Sequence, residues 1–392
     1  MTTLKVVRPR TDAVLGSPAF EEALKIAAEH ANAVDRHARF PREAVDALKS
    51  AGAMSWLLPQ GGSMRLEQLS QAAFELSRCC SATGMVFAMH QIQVASLVRY
   101  GGDSPWMTGY LQRLHNEQRL IASATSEVGV GGNMRKSIAC LESDAGRFKF
   151  VKKASTISYG AHADDVLTTM RRSPEAPSAD QVLVLTHFSE MQREQMGEWD
   201  TLGMRGTCSS GFVISGSCLP EQVLPVPFAT IASESMVPVS HVLWGHVWLG
   251  IATEAFDRAQ SFVRMQARQD PGNTPATASK LADLSVLINQ FRTLVRGALN
   301  EYVSYLDAEN VAPLSTVGYA VRINNFKISA SEIALEICQG ALRICGFLGY
   351  KNDGPYSVGR HLRDAHSAAL MIANDRILAT NASLLTVYRD TI

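Results

Sequence analysis

The chain carries no net charge: its 37 Lys+Arg are balanced by 37 Asp+Glu, a formal +0 at pH 7. No basic cluster stands out either, so nothing in it generates the field that attracts a phosphate backbone, which argues against a nucleic-acid partner. Cysteine is scarce, with seven residues (Cys79, Cys80, Cys140, Cys208, Cys218, Cys338 and Cys345). Their odd number and the lack of metal-ligand spacing argue against a disulfide framework or a bound metal and point to reduced thiols. No stretch reads as the ~20 consecutive apolar residues that a bilayer span requires. The opening MTTLKVVRPRTD lacks the apolar run of a signal peptide. The expectation is a cytoplasmic protein without a membrane partner. Internal repeats and low-complexity segments are also missing. What remains is a chain of 392 residues, enough to bury a large core in two or three domains.

Three textures follow one another along the chain. From about Pro18 to His115, apolar residues recur at helical spacing, as in FEEALKIAAEHA, LEQLSQAAFELSR and GMVFAMHQIQVASLVRY, with stops at Gly52 and at Gly101 and Gly102. Residues 1–117 are therefore expected to form an N-terminal helical bundle. Between about Gln118 and Phe228 the runs become short, alternating or β-branched, as in RFKFVKKASTISYG, QVLVLTHF and GFVISGSCLP, with Gly, Pro and Ser between them. Residues 118–233 read as a middle β-domain. Long amphipathic segments then return, among them SHVLWGHVWLGIATEAFDRAQSFVRMQA, and predict a C-terminal helical bundle over 234–392, an arrangement that commonly supplies an oligomer interface.

Four motifs give this α–β–α order a family. They are EWDTLGMRGTCSSGFVISGS (198–217), ATSEVGVGGN (124–133), ALRICGFLGY (341–350) and HLRDAHSAALMIANDRI (361–377). In order and approximate spacing they resemble the acyl-CoA dehydrogenase superfamily, an α+β fold with an N-terminal helical bundle, a middle β-domain and a C-terminal four-helix bundle. The resemblance implies FAD as cofactor, an acyl-CoA or acyl-carrier-protein thioester as substrate, and a homodimer or homotetramer.

The resemblance also distributes roles. Thr125 and Ser126 fall in the loop that lines flavin and substrate, with Glu127, Gly131 and Gly132 on the substrate side; glycines there let the backbone approach a ligand, although three glycines also make an ordinary turn. Ser158 sits where a Trp-Ile-Ser/Thr run touches the flavin edge, and Thr156 occupies the tryptophan position. A strand-end turn is the plainer reading of Ser158. Arg205 of the GMRGT turn matches a cofactor contact, with the larger role expected to be fixing the β-domain to the bundle. Arg268 matches an Arg-x-x-Phe-Gly turn that reaches a neighbouring copy's pyrophosphate; a cation completing a helix C-terminus is the alternative. Gly346 and Gly349 retain part of the adenine-end turn, while Arg343 and Phe347 depart from it.

The family's proton-abstracting carboxylate is where this chain departs most. Counting nine residues from Arg363 places Ile372 at that position, and an isoleucine takes no proton. An alternative location on the first long C-terminal helix falls on Ser240, beside His241. Asn374 and Asp375 reach the site only if the motif is shifted, and Asp375 is then a displaced base; a surface position beside Arg376 is the plainer reading. Relatives without the carboxylate include oxygenases and oxidases that use His and Ser near the flavin. His90 lies on a helix facing the flavin in such proteins, and its imidazole either trades protons there or is a satisfied core residue. The resulting expectation is an FAD-dependent oxidoreductase acting with molecular oxygen on a thioester. A dehydrogenase using Asp375 and a non-catalytic binding protein of the same fold are the rivals.

Overall fold

The computed structural model describes residues 15–389. Helix α1 (Pro18–Arg36) starts where the Ser17 hydroxyl accepts from the Phe20 amide at 3.3 Å and Pro18 presets the first turn. It buries the stripe Phe20, Ala23, Ala27, Ala31 and Val34, the spacing of one helix face. Helices α2 (Arg42–Ser50), α3 (Leu66–Cys79), α4 (Ser81–Tyr100) and α5 (Pro105–Glu117) follow. Helix α4 is buried nearly all round, so it has no solvent face and acts as an internal strut.

Seven strands come next: β1 (Ile121–Ala124), β2 (Glu142–Asp144), β3 (Arg147–Ala154), β4 (Asp165–Arg171), β5 (Gln181–His187), β6 (Gln192–Met196) and β7 (Gly211–Cys218). They form a three-stranded sheet in the order β1-β4-β5 and a four-stranded sheet in the order β2-β3-β7-β6. Strand β1 runs parallel to β4, with Ile121 opposite Asp165, and the remaining pairs are antiparallel. Strands β4 and β5 are almost wholly buried, whereas Phe150, Lys152 and Ala154 of β3 alternate inward from an exposed face.

The C-terminal third begins with the short α6 (Phe228–Ile231) and a π-helical turn over Ala232–Met236 that leads into α7 (Val237–Gln269). Helices α8 (Ala278–Asp307), α9 (Val317–Tyr350), α10 (Gly359–His366) and α11 (Asn374–Leu385) complete it. Helix α9 has the length and hydropathy of a bilayer span, which the sequence reading did not anticipate. It packs most extensively on α7 and contains the fully buried Lys327, as the central helix of a bundle.

One turn locks the middle sheet domain to the helices. The Met204 amide donates to Asp364 Oδ1 at 2.7 Å, and Arg363 donates to the Leu202 carbonyl at 3.1 Å while pairing with Asp35. At Gly203 a Cβ atom would lie 2.0 Å from the Arg363 carbonyl oxygen, so only glycine permits this approach.

Candidate active site

A cavity of about 660 Å³ lies where α4, the start of α7 and the α10–α11 connection face the sheet domain. Its sheet-side wall is rich in hydroxyls: Ser123, Thr125, Ser126, Ser155, Thr156, Ser158, Thr201, Thr207 and Ser209 all line it. Several are tied to one another. The Ser126 hydroxyl donates to the Thr156 carbonyl at 2.8 Å and accepts from the Thr156 amide at 3.1 Å. Thr207 donates to the Met204 carbonyl at 2.9 Å, and Ser209 donates to Ser158 at 2.9 Å. Trp199 Nε1 donates to the same Met204 carbonyl at 3.2 Å. Ser158 thus accepts a hydrogen bond and keeps its own O–H for whatever fills the cavity.

A buried ion pair supports the loop beneath this wall. Glu127 accepts from the Ser137 hydroxyl (2.7 Å), the Ala139 amide (2.7 Å) and the Ile138 amide (3.1 Å), with Lys152 Nζ at 3.4 Å. Burial pushes the Glu127 carboxyl up, but Lys152 and these donors outweigh it and hold it below the usual carboxylate range. Burial pulls Lys152 down to about 8, against the opposing pull of Glu127. Glu127 is 5% exposed and does not line the cavity, so its assignment to substrate is corrected to a support for the loop. Within that loop Gly132 lines the cavity, at φ +71° and with Arg376 packed where a Cβ would sit; Gly131 lies outside the wall in an open turn.

The helical wall has a different make-up. Met85, Met89, Ile92 and Gln93 face in from α4, and Met236, Val237, Ser240 and Trp244 from the π turn and α7. The α10–α11 connection adds Arg363, His366, Ser367, Leu370, Met371, Ile372, Ala373 and Arg376. Among the described residues, no aspartate or glutamate lines the cavity. Ile372, at the position the family gives to its base, is 36% exposed and adopts φ +53°, a left-handed conformation that β-branched side chains rarely take. Lys327 holds that turn, donating to the Ala368 carbonyl (3.0 Å), the Ile372 carbonyl (2.8 Å) and Asn374 Oδ1 (2.7 Å). Burial draws this ammonium down to about 8, with Glu332 pulling the other way.

Several candidates fall elsewhere. His90 is fully buried: its Nδ1 accepts from the Ile121 amide at 3.1 Å, which leaves Nε2 to donate to the Met54 carbonyl at 2.8 Å. Burial lowers it to about 4, so it is a neutral strut between α4 and β1 and not a proton carrier. His241 lies behind the wall, with its ring 5.7 Å from that of Trp244; burial and then Lys327 lower it to about 3. Ser240 lines the cavity, but its hydroxyl donates to the Met236 carbonyl. Asn374 is buried between Lys327 and Ser331, and Asp375 is exposed in the first turn of α11, outside the wall. Neither is placed to take a proton in the cavity.

Arg205 lies outside the main cavity, where its guanidinium donates to the Asp35 and Thr201 carbonyls and to Asp200, which makes it a clamp between α1 and the sheet domain. Arg268 is exposed at the end of α7. Gly346 kinks α9 at φ +55° beside the exposed Phe347, and the buried Gly349 lies 2.6 Å, by its would-be Cβ, from Cys345. None of these three lines the cavity. Sequence reasoning missed Gln93, Ser123, Ser155, Trp199, Trp244 and the methionines.

The comparisons agree with this architecture. Residues 20–115 match the model of the acyl-CoA dehydrogenase N-terminal domain, and residues 234–374 that of the C-terminal domain. A short-chain-specific acyl-CoA dehydrogenase from Clostridium acetobutylicum is 26% identical over 368 residues, covering 88% of each chain. Among solved structures, FMN-bound TdsC, a dibenzothiophene monooxygenase from Paenibacillus sp. A11-2, superposes with a TM-score of 0.81 at 18% identity, covering 96% of this chain and 98% of that one. Butyryl-CoA dehydrogenase from Megasphaera elsdenii gives 0.79 at 18% identity, covering 94% and 98%. At such identities the structural likeness speaks for the fold alone, while the two family models span the helical regions on both sides of the sheets. The chain belongs to the acyl-CoA dehydrogenase superfamily of flavoprotein oxidoreductases.

Proposed function

We propose that the protein is an FAD-dependent oxidoreductase that acts on a CoA or carrier-protein thioester and consumes molecular oxygen. The observation that carries the reading is the cavity wall, which among the described residues holds no carboxylate to abstract an α-proton. The residues present suit a flavin. The volume falls within the range of ligand and cofactor sites, and Ser158 has an uncommitted hydroxyl. A bound flavin would supply two-electron redox chemistry there. Thr125, Ser126, Thr156 and Ser158 would hold its polar edge through hydroxyls and amides, and Arg376 would add positive charge at the cavity's rim. The sheet wall orients, and the methionine-rich helical wall excludes water from the reacting face. FAD is preferred to FMN because Arg268 and the Gly346 turn match the family's site for the far end of a dinucleotide cofactor, a site that the family completes with a neighbouring copy; the reading therefore includes a homo-oligomer.

Product formation in the presence and absence of oxygen tests this reading. Holoprotein with a reductant and a panel of thioesters is expected to form product only when oxygen is supplied, with oxygen consumed in step. Enoyl product made anaerobically would establish a dehydrogenase instead. A protein that stays colourless and gains no thermal stability from added FAD would establish a non-catalytic binder.

A further inference from the structure

Two polar atoms in the helical wall have no partner among the described residues. Gln93 is 1% exposed; its Nε2 donates to the Met89 carbonyl at 3.2 Å, and its Oε1 accepts from nothing. Trp244 is 6% exposed, and its Nε1–H donates to nothing. Both residues line the cavity, from facing helices α4 and α7, among Met85, Met89, Ile92 and Met236. Trp199 of the same cavity provides a contrast, since its indole N–H is bound to the Met204 carbonyl. Buried polar groups are almost always paired, and one left unmade costs far more than a typical bond gains. An alkyl chain would fill this apolar region without relieving either atom. A ligand bearing its own donor and acceptor relieves both, and a hydroxyl offers the two functions in one group.

We infer that Gln93 and Trp244 select a substrate whose apolar portion carries a hydroxyl, the chemistry of a phenol or an alcohol, and that they discriminate against the plain hydrocarbon. This deepens the reading of the same cavity as a thioester-oxidising site, yet it concerns equilibrium binding and does not depend on oxygen or turnover. A site built to hydrogen-bond a hydroxyl rejects the analogue lacking it because its own polar groups are then stranded.

The test uses the FAD-loaded protein and two small probes, 4-ethylphenol and ethylbenzene, titrated by calorimetry. The phenol is expected to bind at least about tenfold more tightly, and Gln93→Leu and Trp244→Phe are each expected to shrink that preference severalfold. Thermal unfolding of the ligand-free Gln93→Leu protein gives an independent readout: replacing a buried amide whose oxygen is unpaired, and whose one bond is a 3.2 Å contact to a helical carbonyl, by an apolar group of similar size should leave Tm unchanged or raise it. Equal affinity for the two probes, binding of neither, or a preference unaffected by both substitutions would overturn the assignment. So would a large fall in Tm for Gln93→Leu, which would mark the amide as a structural group. Loss of oxygen-dependent turnover with the preference intact would sink the functional reading and leave this one standing.

Discussion

The two walls of the cavity differ in how far the protein itself satisfies their polar atoms. On the sheet side Ser126, Thr156, Thr207, Ser209 and Ser158 are bonded to one another or to nearby backbone, and the Glu127–Lys152 pair holds the loop beneath them. On the helical side Gln93 and Trp244 are left with open valences amid thioethers and aliphatic side chains. The first wall is organised by the protein alone and suits a resident cofactor. The second is completed only by what enters it, which is how a site acquires selectivity. The base position sits on this second wall: where the family places a carboxylate, Ile372 offers a side chain in a strained turn held by three bonds from Lys327.

The contrast can be broken from either side. The largest effect is expected from Glu127→Ala, which leaves the buried Lys152 charge without its counter-ion, though still bonded to Thr169, and the Ile138 and Ala139 amides without their acceptor; loss of one partner of a buried pair costs about 3–5 kcal/mol, and chemical denaturation should show it. Because Glu127 titrates below its ordinary value in the folded state, its contribution is complete above the ordinary carboxylate pKa and is lost as pH falls through the lowered one. Glu127→Gln should therefore flatten the acid limb of the stability profile. Next comes His90→Ala, which leaves the Ile121 amide and the Met54 carbonyl unpaired in the core. We expect a loss of about 2–3 kcal/mol in denaturation, with turnover per folded molecule unchanged; a selective loss of turnover would restore His90 as a catalytic group. On the helical wall, Ile372→Glu should introduce anaerobic flavin bleaching by saturated thioesters, at least about tenfold above the parent background, since a positioned base contributes several powers of ten when well aligned. The smallest effect is expected from Ser158→Ala: about fivefold weaker FAD affinity, the value of about 1 kcal/mol for one hydrogen bond, with little change in apoprotein stability.

The same contrast explains what the sequence disclosed. Motifs built on glycine turns and short hydroxyl runs report backbone geometry directly, so the fold and the positions of Thr125, Ser126, Thr156 and Ser158 were legible. Gly203 shows why the GMRGT region is so recognisable: its close approach to Arg363 admits no side chain. Helix α4 carries no such signal. Because it is buried all round, hydropathy cannot separate its cavity face from its core face. His90 is one residue, about 100° of helical rotation, past Met89, and that step turns it from the cavity toward Met54 and Ile121. Asp375 is exposed beside Arg376, the plainer of its two readings. The left-handed turn at Ile372 restarts the helix at Asn374, which points the aspartate outward, and no count of residues reveals such a reversal. Glu127 looked like a ligand contact because its motif lines a ligand loop; its donors lie on the inner side of that loop, an arrangement set by the tertiary packing.

The account rests on a cavity wall that, among the described residues, holds no carboxylate to take the α-proton of a thioester. Anaerobic rapid mixing of the oxidised holoprotein with short-chain, long-chain and aryl acyl-CoA thioesters tests it most directly, followed by flavin absorbance and product mass. The visible flavin band should persist and no enoyl-CoA should form. Rapid bleaching with stoichiometric enoyl product would show that a base acts on the α-proton after all.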